Sequence, residues 1–591
     1  MDSVSKRLAS LREQMRAFGL DYYFVPGIDE HFSEYALDCW RRRAFVSGFT
    51  GSAGDVLVGL QGAWLWTDSR YFLQAELELE ASDFTLMRQG IDPSLLSLLL
   101  DQPGNKNVGF DPKLLSMHAF QQWQQYANQF DLSIAMVEKN LVDAVWHEQP
   151  SLPSSTVVSH DMAYAGESAL HKITALRKEL QSHGCESTVL TALDSIAWLT
   201  NLRGQDSKTS PVFVSYMRVS HDEAVLYMSA DRLSSDAKEQ LQLNQVEVRS
   251  VDQLVTDLQQ SRGRVWLDLD STSQWVASLV AHNEIDQSRS PVLLMKAIKN
   301  ANEQQGMREA HRRDAVAIIK LFCWLESHWR GLDEVDVADQ LDRFRSEDSQ
   351  YRGISFDTIS AYGANSAVIH YSPKKSSALA LSDDNVFLLD MGAQYSCGTT
   401  DVTRVLHFGE PTAEQKRHYT LVLKGHLALG QAIFLHGACG EHLDVLARSA
   451  LWRELMNYGH GTGHGVGAYL EVHEGPQRIS PGYTHVSLVP GMIVSNEPGV
   501  YFPEQYGIRI ENLVLVNAVP ADRQSATGDG PFYQFESLTL LPYNRDLIDC
   551  SLLSDEEISI INAYHSRVFD AVNDALPTAE KTWLMRATQA L

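Results

Sequence analysis

The chain has 591 residues, more than one hydrophobic core supports, because cores stop growing near ~250–300 residues. Its 44% hydrophobic and 21% charged residues exclude collagen-like, low-complexity and largely disordered chains. A formal net charge of −26 repels phosphate backbones and acidic lipid, which argues against nucleic acid or an anionic membrane as the main partner. No uncharged apolar run approaches the ~18–20 residues of a membrane span. The opening MDSVSKRLASLREQ lacks the apolar centre of a signal peptide. Six scattered cysteines, none in a CxxC pair, read as free thiols of a cytoplasmic protein.

In chain order, Val4, Leu8, Leu11, Met15 and Phe18 place one apolar stripe on a helix that Gly19 stops, and DYYFVP follows as a strand. Glycine-broken strands come next in SGFTGSAGDVLVGLQGAWLWTDSRYF, then a helix from ELELE (76–80) onward and short alternations to about Asp143. The Pro/Ser-rich HEQPSLPSSTVVS reads as a linker. A second α/β segment starts near Ser168 with the helix LHKITALRKELQSHG. It continues through TVLTALDSIAWLTNLRG, the strands PVFVSYMRV and EAVLYMS, and the alternation of RVWLDLD with QWVASLVAHNE. Its order of helix, strand, glycine turn and paired strands echoes the first segment and suggests a structural repeat. A long amphipathic helix is predicted from about Ala301 to Trp329 and another near Glu334–Ser346. After Tyr351, glycines multiply and His, Asp and Glu gather. The predicted domains are 1–155, 156–292 and 293–591.

The chemistry falls in the last of these. NVFLLDMGAQYSCGTTDVTRVLHFG reads as a hairpin in which Asp390 closes the first strand and Asp401 lies in the second, eleven residues on. A single buried Asp is more often a cap or an ion pair, but two on facing strands repel unless a cation lies between them. YGHGTGHGVGAYLEVHEGP brings three histidines, His460, His464 and His473, into 14 residues, with glycines that let backbone approach a ligand closely. PGMIVSNEPGVYF puts Glu497 at a strand end. GIRIENLVLV puts Glu511 mid-strand, where an ion pair with Arg509 would account for that residue alone. Asp390, Asp401, His464, Glu497 and Glu511 form one set: four carboxylates balance two divalent cations, which lets four acids share an interior. One imidazole and mostly oxygen donors suit Mn²⁺, with Co²⁺ or Zn²⁺ as alternatives, and no thiolate zinc site is indicated. Two such ions would clamp the attacking and departing oxygens of a hydrolysis and acidify a bridging water. Cys397 reads as a packed thiol rather than a ligand.

These segments resemble the pita-bread metallopeptidase family, and within it the three-domain aminopeptidase P enzymes. The resemblance is carried by FDTIS from Phe356, HYSP from His370, LDMGAQY, GTTDVTR, GHGTGHGVG, VHEGP, SNEPG, GIRIENL and FESLTLLP, in the family's order across roughly 295–565. RRAFVSGFTGSAG, WTDSRY and AWLTNLRG extend it towards the N-terminus. It implies an α/β plus α+β chain, with two creatinase-like α/β domains before a catalytic domain whose curved antiparallel sheet is backed by helices. It further implies that the five residues bind two metal ions and that His370, His460 and His473 surround substrate. Arg70 would also reach substrate, unless it is simply an ion-paired arginine. Cys397 and Val500 stand where relatives often carry Asp and an aromatic, which touches specificity or loop packing rather than the reaction.

The implied activity is an Xaa-Pro aminopeptidase that hydrolyses the N-terminal Xaa-Pro bond of proline-containing peptides through a bridging hydroxide. Glu497 doubles as ligand and proton acceptor, His370 and His473 shuttle protons, and His460 steadies the substrate carbonyl. A homodimer is expected from relatives. The rivals are a prolidase acting on Xaa-Pro dipeptides, which two additional domains argue against, and a non-enzymatic pita-bread scaffold, which would usually lack ligands. A creatinase-type enzyme lacks the metal ligands altogether.

Overall fold

A computed structural model describes residues 3–79, 82–102, 104, 106–523 and 527–591. By contacts the chain forms two compact units. One comprises Met1–Ser159, Glu167–Ser207 and Val212–Val292, and the other His160–Gly166, Lys208–Pro211 and Leu293–Leu591.

The first unit contains two six-stranded sheets built on one plan. In the first sheet the order is Thr85–Arg88, Ala63–Thr67, Asp55–Gly59, Tyr22–Val25, Asn107–Phe110, Ser133–Met136. In the second it is Glu247–Arg249, Ala224–Tyr227, Tyr216–Ser220, Ser187–Leu190, Val265–Trp266, Ile285–Asp286. Across both sheets the neighbours run parallel, antiparallel, antiparallel, parallel, parallel. The repeat suggested by the order of elements is therefore present in strand order and direction. Helix caps explain two starts: Ser3 accepts from Lys6 N ahead of the Val4–Ala17 helix, and Ser168 from His171 N ahead of Ala169–Ser182. The helix expected from ELELE onward instead spans Phe72–Leu79, and positions 80–81 of that expectation lie outside the described residues. PVFVS forms no strand; that strand begins at Tyr216.

The second unit is antiparallel sheet backed by helices. The 28-residue helix Ala301–His328 starts at a capping box, Asn300 with Glu303, and buries Met307, Ala310, Ile318, Leu321, Phe322 and Leu325 along one face. Glu334–Arg345 follows, capped by Asp333. These helices pack on the hairpin Val386–Tyr395 and Gly398–His407, whose ten-residue strands pair along their whole length. Val386–Tyr395 also pairs with the short strands Tyr351–Ile354 and Ile359–Tyr362. A six-stranded antiparallel sheet runs in the order Ile433–Leu435, Phe532–Ser537, Asn512–Ala518, Ile493–Asn496, Gly463–Gly465, Glu474–Ile479. A two-stranded ribbon pairs Gly499–Phe502 with Tyr506–Arg509. Among the described residues no helix is long and apolar enough to cross a membrane.

A buried ion pair braces the hairpin. Arg345 donates to both Asp314 oxygens at 2.8 and 3.0 Å and to the Gly392 carbonyl at 2.9 Å, while Thr400 donates to Asp314 at 2.6 Å. Gly392 stands opposite Asp401 in the register, so this network fixes the backbone on which Asp401 sits.

Candidate metal centre

The hairpin register explains how two aspartates meet. Asp390 pairs with Thr403 and Asp401 with Gly392, so Asp401 lies two residues from Asp390's partner and projects on the same face. Asp390 is mid-strand rather than at the strand's close, because the strand continues to Tyr395 and turns at Ser396–Cys397. Gly392 is accordingly a strand glycine, where a Cβ would lie 2.0 Å from Ser355 Oγ.

His464 occupies the centre of the short strand Gly463–Gly465 rather than a loop. The flanking glycines permit close strand approach, since a Cβ at Gly463 would lie 2.0 Å from the Ser495 carbonyl oxygen and one at Gly465 2.2 Å from that of Glu474. The His464 Nδ1 lies 3.0 Å from its Gly465 carbonyl, which fixes the tautomer and leaves Nε2 facing the carboxylates. That Nε2 is 3.5 Å from Asp401 Oδ2 and 3.6 Å from Glu497 Oε1. These spacings exceed a charge-assisted hydrogen bond of ~2.7–2.9 Å. They approach the ~3–3.5 Å that separates two donors each about 2.1 Å from one ion.

Glu497 follows the strand Ile493–Asn496 and accepts from Ser495 Oγ at 3.2 Å. Glu511 is not mid-strand. The predicted continuous strand breaks between Arg509 and Asn512, where the chain passes from the two-stranded ribbon into the six-stranded sheet, and Glu511 sits at that bend with its N–H on Thr403 O. Thr403 Oγ1 donates to Glu511 at 2.8 Å. The bend also redirects Arg509, which pairs not with Glu511 but with Asp390, its Nη2 2.7 Å from Oδ2.

All five sequence-predicted ligands therefore converge. Donor atoms of Asp390, Asp401 and Glu511 lie within 4.8 Å of one another, as do those of His464, Glu497 and Glu511, and those of Asp401, His464 and His473. Asp390, Asp401 and Glu511 are buried. Burial pushes the Asp390 carboxyl up to about 7, reinforced by Asp401 and opposed by Arg509. Burial likewise raises Glu497, against the pull of His464 and Arg509, and lifts Glu511 well above the carboxylate range together with the charges of Asp401 and Asp390. Burial opposes charge on His464, yet Asp401 and Glu497 outweigh it and raise the imidazole to about 9. Burial first, and then the crowding of like charges, raises the proton affinity of these carboxylates, and cations bound among them would compete with those protons. The donor set fits such ions. Asp390 Oδ1 in particular is buried and has no hydrogen-bond partner among the described residues, as a carboxylate oxygen kept for a metal would be.

The remaining predicted residues are placed as follows. His473 packs edge-on to His464 with ring centroids 4.2 Å apart. His460 has Nδ1 2.7 Å from its Gly461 carbonyl and Nε2 2.8 Å from Tyr501 Oη, and Arg509 Nη1 donates to that hydroxyl at 2.7 Å. His370 is half-buried on a segment whose Ile369 carbonyl accepts from Arg509 Nη2 at 3.4 Å. Arg70, in the first unit, forms a bidentate pair with Asp68 at 2.9 and 2.7 Å. Val500 is a core residue opposite Ile508, and Cys397 is buried under the 301–328 helix, where a Cβ at Gly306 would meet its carbonyl at 2.3 Å. Neither faces the carboxylates as a ligand. Sequence reasoning missed Tyr501, Thr403 and Ser495, the hydroxyls that hold His460, Glu511 and Glu497. Nothing local in PGVYF reveals what Tyr501 touches.

Four carboxylates and neighbouring imidazoles contributed by two antiparallel sheets make the kind of centre that metal-dependent hydrolases use. Comparison with known proteins agrees. A model of metallopeptidase family M24 matches residues 305–518 and one of the C-terminal region of peptidase M24 matches 531–591. Models of the creatinase/prolidase N-terminal domain match 7–138 and 148–303. A Fusarium vanettenii protein named "Probable Xaa-Pro aminopeptidase P" is 42% identical over 613 residues, covering 99% of this chain and 98% of its own. A Sordaria macrospora protein of the same name is also 42% identical, with 99% of each chain covered. The X-prolyl aminopeptidase from Caenorhabditis elegans, a cytosolic enzyme with a di-nuclear active site, superposes with a TM-score of 0.95 at 35% identity, covering 100% of both chains. An X-Pro aminopeptidase from Thermotoga maritima, 24% identical and covering 63% of this chain and 98% of its own, shares the fold with a TM-score of 0.51. The chain belongs to metallopeptidase family M24, with two creatinase-type α/β domains ahead of a pita-bread catalytic domain.

Proposed function

We propose that this chain is a metallo-aminopeptidase that removes the first residue of peptides whose second residue is proline. The observation that carries the reading is the convergence of donor atoms from Asp390, Asp401, His464, Glu497 and Glu511 in overlapping groups around the buried Asp390, Asp401 and Glu511. The full-length similarity to proteins named for Xaa-Pro aminopeptidase activity supports it. The five residues would hold two divalent cations, with Mn²⁺ favoured by the oxygen-rich donor set. Bound there, such ions polarise a carbonyl and lower the pKa of a water to near neutrality.

The chain's own groups do the rest. Glu497, steadied by Ser495, accepts the proton of the attacking water. His370 and His473 pass protons to the departing proline nitrogen, which as a tertiary amide has no N–H for the enzyme to grip. His460 is oriented by Gly461 and Tyr501, and a substrate carbonyl would share its Nε2 face. Arg509 orients Asp390 and Tyr501 together. The resemblance offers Arg70 as a further substrate contact, and a raised KM with unchanged kcat in Arg70→Ala would support it.

The same reading divides the chain into domains 1–155, 156–292 and 293–591, a division the repeated sheet plan supports. A cytosolic location accords with six unpaired cysteines. A homodimer follows from the family resemblance, and sedimentation would test it. The function is tested by stripping the protein of metal, restoring Mn²⁺ and comparing Arg-Pro-Pro, Arg-Ala-Pro and the dipeptide Arg-Pro. Cleavage of Arg-Pro-Pro alone is expected. Preferred cleavage of the dipeptide would make the chain a prolidase, and no cleavage after Mn²⁺ is restored would refute the proposal.

A further inference from the structure

Between the short helical turn Gly363–Ala367 and the strand that begins at Val386 lies a long connection with a single isolated bridge, Asp333 to Ala380. Connections longer than ~12–15 residues without secondary structure of their own are usually functional or disordered. This one carries His370, and several of its residues from Ser372 to Ala380 are exposed. Something must hold it.

Lys375 pairs at the surface with Asp333 and Asp336, and Arg509 reaches the Ile369 carbonyl, but the anchor that reaches both sides of His370 is a buried carboxylate. Glu334 is fully buried at the first position of the Glu334–Arg345 helix. Its Oε1 accepts from Tyr362 N at 2.6 Å and from Asn365 Nδ2 at 3.0 Å. Its Oε2 accepts from Tyr371 Oη at 2.7 Å, Leu379 N at 3.0 Å and Asn365 Nδ2 at 3.0 Å. These donors lie before, beside and after His370 in sequence, so one side chain ties down the chain on both sides of that residue. None of them is charged. Among the described residues no salt-bridge partner offsets the negative charge, and burial accordingly raises the Glu334 pKa; the start of its own helix is the favourable field. An uncompensated buried carboxylate is costly, whereas a group that only accepts is what converging N–H and O–H donors demand.

We propose that Glu334 is a positioning residue for His370: its carboxylate fixes the loop that presents the imidazole to the metal centre. The inference rests on the role given to His370 above. Glutamine at this site has the same shape but turns an NH₂ toward donors, so one N–H is left facing another and the loop shifts. A misplacement of about 1 Å in a reacting group can cost ~100-fold in rate.

The test is a double-mutant cycle on the full-length Mn²⁺-loaded protein, with Arg-Pro-Pro as substrate. Glu334→Gln is expected to lower kcat ~10- to 100-fold, with a smaller change in KM and unchanged metal content. Tyr371→Phe, which removes one of the bonds, should lower kcat less. Placed on His370→Ala, either substitution should cost less than threefold more, because both act through the same ring. If Glu334→Gln fails to fold, Tyr371→Phe supplies the same comparison. Full additivity of these effects with His370→Ala, or wild-type kcat in both loop variants, would overturn the inference. A His370→Ala enzyme that turns over like wild type would instead overturn the role of His370 itself.

Discussion

Replacing Asp401 by Asn removes one negative charge from the buried cluster and leaves its shape unchanged. Asp401 belongs to two of the three donor groups, those with Asp390 and Glu511 and with His464 and His473, so its loss reaches both halves of the site. With metal bound, four carboxylates against two divalent cations become three, and an uncancelled positive charge is left in the interior. Without metal the sign reverses. Asp401 raises the proton affinity of Asp390 and Glu511 by repulsion, so Asn relieves that strain and the metal-free variant should melt no lower than the parent. Two readouts follow. Turnover of Arg-Pro-Pro at saturating Mn²⁺ should fall at least ~1,000-fold, equivalent to ~4 kcal/mol of transition-state stabilisation. The rise in Tm produced by Mn²⁺ over EDTA should shrink or vanish, since a ligand at 100 times its Kd stabilises by ~2.7 kcal/mol and a weakened site by less. Turnover within tenfold of wild type, with the metal-induced shift intact, would refute the assignment of Asp401 as a ligand.

Three further outcomes are expected. Arg509→Met strips the buried Asp390 of its partner and should cost ~3–5 kcal/mol in urea denaturation; in an Asp390→Asn background the penalty should be clearly smaller, and an equal penalty would contradict the pairing. Gly463→Ala forces a methyl against the Ser495 carbonyl and should destabilise the fold by ~1–3 kcal/mol while moving His464 enough to lower kcat. Burial holds His565 down to about 4 from its ordinary 6.5, with Nε2 accepting from Tyr543 N at 3.1 Å. Because the unfolded chain takes up the proton first, this contribution is complete above about pH 6.5 and is lost as pH falls towards about 4, at most ~3 kcal/mol. His565→Gln should therefore flatten the unfolding free energy across that window, and an unchanged slope would remove His565 as its cause.

Elements whose causes are local were legible in the sequence. The 3.6-residue stripe from Val4 to Phe18 and the capped helix at Ala301 needed only neighbouring residues, and each was placed within a residue or two. The ligand set was legible because four acids on apolar strands have few explanations besides metal. What was lost depends on contacts distant in sequence. Glu511 looked mid-strand because Ile508, Ile510, Leu513, Val514 and Leu515 flank it on both sides, and the change of sheet between Arg509 and Asn512 is dictated by pairing with Gly499–Phe502 on one side and Ile493–Asn496 on the other. The same bend hid the partner of Arg509, which lies 119 residues away. Of the two roles expected for Val500, specificity or loop packing, its place in the core accords with packing. Glu334 gave no signal, since an acid at a helix start reads as a favourable end charge until its donors are seen.

Crystals grown with Mn²⁺ and measured on both sides of the manganese absorption edge would settle the matter most directly. Two anomalous peaks about 3.5–4 Å apart are predicted, one on each side of the Asp401–Glu511 carboxylates, with His464 and Glu497 at one and Asp390 at the other. A single peak elsewhere, or none at full Mn²⁺ occupancy of the solution, would contradict the account.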